Sequence, residues 1–332
     1  MSAESTSGLT VPSPDIERAQ AITAELSKRG WGTLARAAGF LAGHGLTPEA
    51  AEGPDTDPLA MTLVVIAGDN GLPPELSRHR DADYTAHAFS ELTSGSTILS
   101  DALRDAHCSL KAVDVAIDHD VWGDERVSRA AAPIDHEDAL SEEDFKRALG
   151  IGRRIADQLI DAGTRVLAAT TLGRGDSTIA ATLMGIFTRT EPVAVAGAPY
   201  AIGDDAWCHK VDVIRNAMFR VRGDLTRPHE VLRRAGSPSA AVLTGLIAQA
   251  ASRRTPILID AALPAVAAYC ADRLAPGAAQ WVLPTQAPTE PAEELALRII
   301  SAQPLVDMGI RYGMGAGALA TVPVLRQASR LL

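Results

Sequence analysis

"TRVLAATTLGRGDSTIAATLMGIF", Thr164–Phe187, runs from an apolar segment through a glycine loop into a helix-like segment. Thr164–Thr170 is too uniformly apolar for a half-solvated strand, which points to a parallel strand covered on both faces. In "TTLGRGDST" (Thr170–Thr178), Gly173 and Gly175 follow that strand, and Asp176, Ser177 and Thr178 suit the start of a helix. Glycines let a backbone approach a phosphate while helix N–H groups point at it. Gly173, Arg174, Gly175, Ser177 and Thr178 are therefore candidate phosphate contacts. A plain turn, with Gly175 bending the chain and Asp176 capping the helix, fits the same letters, because two glycines one residue apart are a weak signal.

The same texture continues on either side. "MTLVVIAG" (Met61–Gly68), "KAVDVAID" (Lys111–Asp118), "TPILIDA" (Thr255–Ala261) and "QWVLPT" (Gln280–Thr285) are further strand candidates, and all but the last are as apolar as Thr164–Thr170. Segments of helical spacing, such as "EEDFKRALGIGRRIADQLIDAG" and "SAAVLTGLIAQAASRR", lie between them. Such alternation predicts a doubly wound, mostly parallel α/β sheet with binding loops at the carboxyl ends of its strands. Pro14 and Asp15 open an amphipathic helix that runs to Gly30, and "WGTLARAAGFLAGHG" supplies a second before the linker "EGPDTDP". "AGALATVPVLRQASRLL" is a final helix expected to pack on that N-terminal pair.

Composition narrows the function classes. The 332 residues are 46% hydrophobic, rich in Ala and only 4% aromatic, which suits helices packed closely on a sheet. A formal charge of −10 without a basic stripe argues against nucleic acid and anionic membranes as partners. No apolar run is long enough to span a bilayer, and "MSAESTSGLTVPSP" lacks the features of a signal peptide. Cys108, Cys208 and Cys270 are odd in number and outside any CxxC pattern, so disulfides and zinc are not expected and a reducing cytoplasm is.

Two more strand-end loops carry chemistry. "AGDNGLPPELSRHRDADYTAHAF" contains Asp69, Ser77, His79 and His87, with the two histidines read as solvated; "RYGMGAGALATVP" spaces glycines at 313, 315 and 317 ahead of a small-residue helix. Each is an ordinary turn by local chemistry alone. Together the loops resemble the nicotinate-nucleotide–dimethylbenzimidazole phosphoribosyltransferase family, from about Trp31 to Leu332. Gly68-Asp69-Asn70-Gly71 is similar to that family's G-D-H-G turn, and Ser77 with Thr85-Ala86-His87 to its Ser…T-A-Q segment, with one extra residue between. "ALSEEDFKRALGIGRRIAD", "HKVDVIRNAM" and "RRTPILIDA", which carries Asp260, resemble three further motifs. "PLVDMGIRYGMGAGALATVPVLR" resembles the C-terminal one.

The resemblance implies a Rossmann-like sheet domain over 56–303, N-terminal helices over 1–55, and a segment over 304–332 that completes both the site and a small helical domain. It also implies a homodimer, no metal and no organic cofactor. The implied partners are a nucleotide and an aromatic base: phosphoribose moves from nicotinate mononucleotide to a ring nitrogen of dimethylbenzimidazole in cobalamin lower-ligand synthesis. Asp260, Met314, Gly315 and Ser77 then join the phosphate-loop residues as substrate contacts.

The departures fall at the chemistry. The family's phosphate loop E-M-G-I-G-N-T-T reads here as Thr171 to Thr178, so its Glu is Thr171 and its Asn is Asp176. The Glu of G-E-G-T-G, its general base, is Met314; G-R-G-T-G is "GAPYA" (Gly197–Ala201); an F-E pair is Pro238-Ser239; and "QAPTEPAE" keeps only Glu290 and Pro291 of H-x-S-x-E-P-G-H. Asp69, His87 and Asp176 are the nearby candidates for base work by loop position. Arg174 could offset the charge of Asp176 and grip the anion itself. Two readings follow: a transferase with a shifted residue set and an altered acceptor, or a non-catalytic paralogue that binds a nucleotide or azole, or that regulates an active partner.

Overall fold

The computed structural model describes residues 8–48, 57–79, 81–224 and 226–332. The stretch before residue 8 and linker residues 52–56 lie outside them. Among the described residues five strands form one sheet: β1 (Met61–Gly68), β2 (Cys108–Ala116), β3 (Val166–Leu172), β4 (Ile257–Ile259) and β5 (Val282–Pro284), in the order β2-β1-β3-β4-β5. Every pairing is parallel. The sequence anticipates all five strands and their parallel sense.

Near-continuous hydrophobicity is what a sheet covered on both faces requires, and alternate residues of each strand join opposite layers. From β1 and β3, Leu63, Val65, Ala67 and Ala168 face one layer, which is made by α1 (Ile16–Lys28), α2 (Thr33–Gly43), α3 (Tyr84–Ser94), α4 (Leu99–Asp105) and α13 (Ala316–Ser329). Val64, Ile66, Leu167 and Ala169 face the other. Its helices are α5 (Glu142–Asp161), α6 (Asp176–Thr188), α7 (Pro192–Ala196), α8 (Asp204–Arg220), α9 (Pro228–Ala235), α10 (Pro238–Ser252), α11 (Ala262–Leu274) and α12 (Pro291–Ile299). All eight residues of β1 are buried, and each large aliphatic one contributes about 1.5–3 kcal/mol. The final helix α13 packs on α2, as its sequence suggests.

One strand differs from its sequence expectation. β2 starts three residues before the expected Lys111 and is an edge strand, with Ser109 exposed and Leu110 to Ala112 half-buried, so it is not covered like the others. Small residues set the helix layer's tightness: a Cβ on Gly152 of α5 would lie 1.9 Å from the Val242 carbonyl oxygen of α10.

The connection from β1 leads to β2 on one side, while β3 lies on its other side. Their carboxyl ends therefore diverge into a crevice, the place where ligands bind in open α/β sheets.

Candidate functional site

A cavity of about 490 Å³ occupies that crevice, a volume suited to a small nucleotide. Its floor comes from the loop after β3 and the head of α6. Its walls come from the loops after β1 and β4, from α8 and from the start of α12, and residues 310–314 close one side. Among the described residues no three His, Cys, Asp or Glu side chains cluster as a metal site.

Gly173 shows how closely the loops meet. A Cβ there would stand 1.9 Å from the Gly68 carbonyl oxygen, so only glycine lets the β3 exit lie on the β1 exit. Gly175, at φ +90°, is the residue that caps α6; Asp176 is the first helical residue and makes no capping bond. The expected capping role of Asp176 is thus taken by backbone geometry. Its carboxylate instead accepts from Asn70 Nδ2 at 2.8 Å and from Thr171, and it lines the cavity. Desolvation pushes the Asp176 carboxyl up to about 7, with repulsion from Asp69 and Glu290 adding to it and the hydrogen bonds from Thr171 and Asn70 opposing it.

The next residue anchors a chain of polar groups. Ser177 Oγ donates to Glu290 Oε2, and Lys210 Nζ donates to Ser177 Oγ at 2.8 Å. Lys210 is 7% exposed, and burial lowers its pKa while the charge of Glu290 opposes that shift. A buried ammonium, a hydroxyl and the positive end of a helix dipole here converge on one cavity wall, an arrangement suited to a phosphate. Sequence reasoning did not single out Lys210, although it lies inside the quoted "HKVDVIRNAM".

Other expected residues turn inward. Arg174 does not face the cavity: its Nε donates to Asp69 Oδ1 at 3.2 Å, forming a buried ion pair. Asp69 is fully engaged, its Oδ1 also accepting from Thr85 Oγ1 at 2.6 Å and its Oδ2 from Asp118 N at 3.0 Å. The pair ties together the exits of three strands and leaves neither an anion grip nor a free base, because charges leaving water take whatever partner is buried with them. Thr178 is buried behind the helix head and lies off the cavity wall. Gly315 also lies off it; a Cβ there would meet Leu63 Cδ1 at 2.5 Å, so this glycine seats α13 on β1.

His87 is exposed on α3 and outside the cavity lining. Tyr84, three residues earlier, is the α3 side chain that reaches the cavity. It stacks on His79, with ring centroids 3.7 Å apart and planes at 4°. His79 is thus a wall residue and not the solvated one its loop suggests. Burial, together with Arg78, lowers its pKa, and its Nε2 accepts from Arg78 Nε at 2.9 Å. Ser77 also lines the cavity. Tyr200, Tyr312 and Met314 also line the cavity and add aromatic and apolar surface to it.

The segment from residue 310 to 317 is held from several strand ends. Asp260 Oδ2 accepts from Gly317 N at 3.0 Å and Oδ1 from Gln286 Nε2 at 3.1 Å. Gln286 in turn brackets Ile310, donating to its carbonyl at 2.7 Å and accepting from its N–H at 2.9 Å. Arg78 donates to the carbonyl oxygens of Arg311 and Tyr312. Asp260 borders the cavity, but both its oxygens serve the loop, and burial raises its pKa.

Comparison with known proteins agrees with this geometry. Residues 16–332 match a family model described as phosphoribosyltransferase. The nicotinate-nucleotide–dimethylbenzimidazole phosphoribosyltransferase of Corynebacterium glutamicum is 40% identical over 270 residues, covering 81% of this chain and 75% of that protein. Its counterpart in Corynebacterium efficiens is also 40% identical, over 81% of this chain and 73% of its own length. The crystal structure of CobT from Thermus thermophilus superposes with a TM-score of 0.85 over 95% of each chain at 24% identity, a likeness of fold. The chain belongs to the nicotinate-nucleotide–dimethylbenzimidazole phosphoribosyltransferase family.

Proposed function

We propose that this protein transfers phosphoribose from nicotinate mononucleotide to a ring nitrogen of a flat azole of the dimethylbenzimidazole kind, using Asp176 as its base. The observation that carries this reading is the head of α6, which brings Asp176, Ser177 and, through Ser177, Lys210 to one wall of the cavity. Lys210 and Ser177 hold the phosphate, and the His79–Tyr84 stack and Met314 flank the ring. The acceptor's lone pair forms a bond to the anomeric carbon as the bond to nicotinate breaks, and the pyridine nitrogen keeps that electron pair. The azole N–H proton passes to the Asp176 carboxylate. A carboxyl pushed up to about 7 suits this step, since a base works best with its pKa near the operating pH. The resemblance supports a cytoplasmic homodimer, with no cofactor in the reaction.

Steady-state assays separate the roles. Lys210→Met should raise the KM for the mononucleotide, whereas Asp176→Asn should lower kcat with little change in KM. A KM left unmoved by Lys210→Met would remove the phosphate assignment. Met314 favours a second reading, ligand binding without turnover, because a thioether makes a good wall for a ring and accepts no proton at neutral pH.

A further inference from the structure

The cavity already contains an anion belonging to the chain itself. Glu290 follows β5 and precedes α12, 113 residues from Ser177, yet its carboxylate accepts the Ser177 hydroxyl at the head of α6. It does no capping for its own helix, where Glu293 takes the Thr289 N–H at 2.9 Å. Among the described residues Ser177 is the only hydrogen-bond partner of the Glu290 side chain, and likewise of Lys210 Nζ. A carboxylate thus lies where an ammonium, a hydroxyl and a helix N-terminus would favour any anion.

We propose that Glu290 is an internal stand-in for the phosphate of the substrate, occupying the Ser177–Lys210 position in the empty protein and displaced when a phosphorylated ligand enters. The idea rests on the transferase reading for the identity of that ligand. Binding without displacement would set a phosphate beside Glu290 and Asp176, three anionic groups around one ammonium. Glu290 is free to leave, being only partly buried and at the end of a loop. Its presence weakens the hold on free phosphate and favours ligands whose ring adds binding elsewhere in the cavity.

The test is titration calorimetry of the intact protein with inorganic phosphate at fixed ionic strength. Glu290→Gln should tighten phosphate about tenfold or more, the order expected when a like charge at contact distance is removed. Lys210→Met should abolish binding in either background. Glu290→Ala should open a carboxylate-sized space that acetate fills in competition with phosphate, while the wild type ignores acetate. Unchanged or weaker phosphate binding by Glu290→Gln overturns the proposal. Should that variant fail to fold, Glu290→Ala, which also removes the charge, should likewise tighten phosphate when acetate is absent; wild-type affinity there also overturns the proposal. Transfer assays on the same samples separate the two ideas. Product formation with phosphate affinity unmoved by Glu290→Gln removes the stand-in and keeps the transferase. Tightened phosphate without product does the reverse.

Discussion

Replacing Asp176 with Asn should make the protein more stable above neutral pH and, at the same time, a poorer enzyme. Burial raises the Asp176 carboxyl from 3.8 to about 7. The folded state therefore holds this proton more tightly than the unfolded chain does. The group is neutral toward folding below about pH 4, opposes it increasingly as pH rises toward 7, and opposes it fully above that. At ~1.4 kcal/mol per pH unit, the ionised carboxylate works against folding by roughly 4 kcal/mol at pH 8 and about 1.5 kcal/mol at pH 5. Asparagine removes the charge and can still accept from Asn70 Nδ2, which now donates at 2.8 Å. The gain from Asp176→Asn should thus be about 2–3 kcal/mol larger at pH 8 than at pH 5. Urea unfolding of both proteins at the two pH values measures it, since titration of distant groups cancels in the difference. If Asp176 is the proposed base, the transfer rate should fall by roughly 10²–10⁴. A gain independent of pH, or a loss of stability at pH 8, would refute the assignment of a desolvated carboxyl.

Three other substitutions probe residues of the strand-end loops and α3. Arg174→Met leaves the Asp69 carboxylate buried without its cation and should destabilise the protein by about 3–5 kcal/mol in denaturant unfolding; a raised KM for the mononucleotide with unchanged stability would put Arg174 back in the site. His87→Ala should leave stability within about 0.5 kcal/mol and the transfer rate unchanged, as for any exposed side chain clear of the cavity. Gly173→Ala places a Cβ 1.9 Å from the Gly68 carbonyl oxygen, so the strand exits must separate; a loss of about 1–3 kcal/mol, seen by thermal unfolding, is expected.

The sheet was legible because its signal is local. A parallel strand buried on both faces is an apolar run wherever it occurs, and β1 spans Met61–Gly68 as the letters suggest. The lesser cover of β2 was missed, although Ser109 and Lys111 interrupt its apolar residues at exposed and half-buried positions. At the site, local pattern placed Gly173, Gly175, Asp176 and Ser177 on the cavity wall. It failed where tertiary docking chooses. Which α3 side chain reaches the cavity depends on the rotation of that helix, so Tyr84 took the place given to His87. Arg174 sits in an anion-binding sequence context, but the buried Asp69 claims it. Lys210, Ser177 and Glu290 are 33 and 113 residues apart along the chain, and only the folded crevice joins them.

The altered loop also makes more sense folded than as letters. The resemblance puts a glutamate at position 171 and an asparagine at 176, whereas this chain has Thr171 and Asp176. Both side chains line the cavity. One carboxylate thus remains on this wall, at the other of the two positions, while position 314 loses its own.

The most direct test is to incubate the purified protein with nicotinate mononucleotide and dimethylbenzimidazole and analyse the mixture by mass spectrometry, with thermal unfolding read on the same samples. A transferase releases nicotinate and forms the benzimidazole ribotide in equal amounts, and Asp176→Asn forms far less of both. Stabilisation by the two ligands without any ribotide would contradict catalysis and leave a protein that binds the family's substrates without converting them.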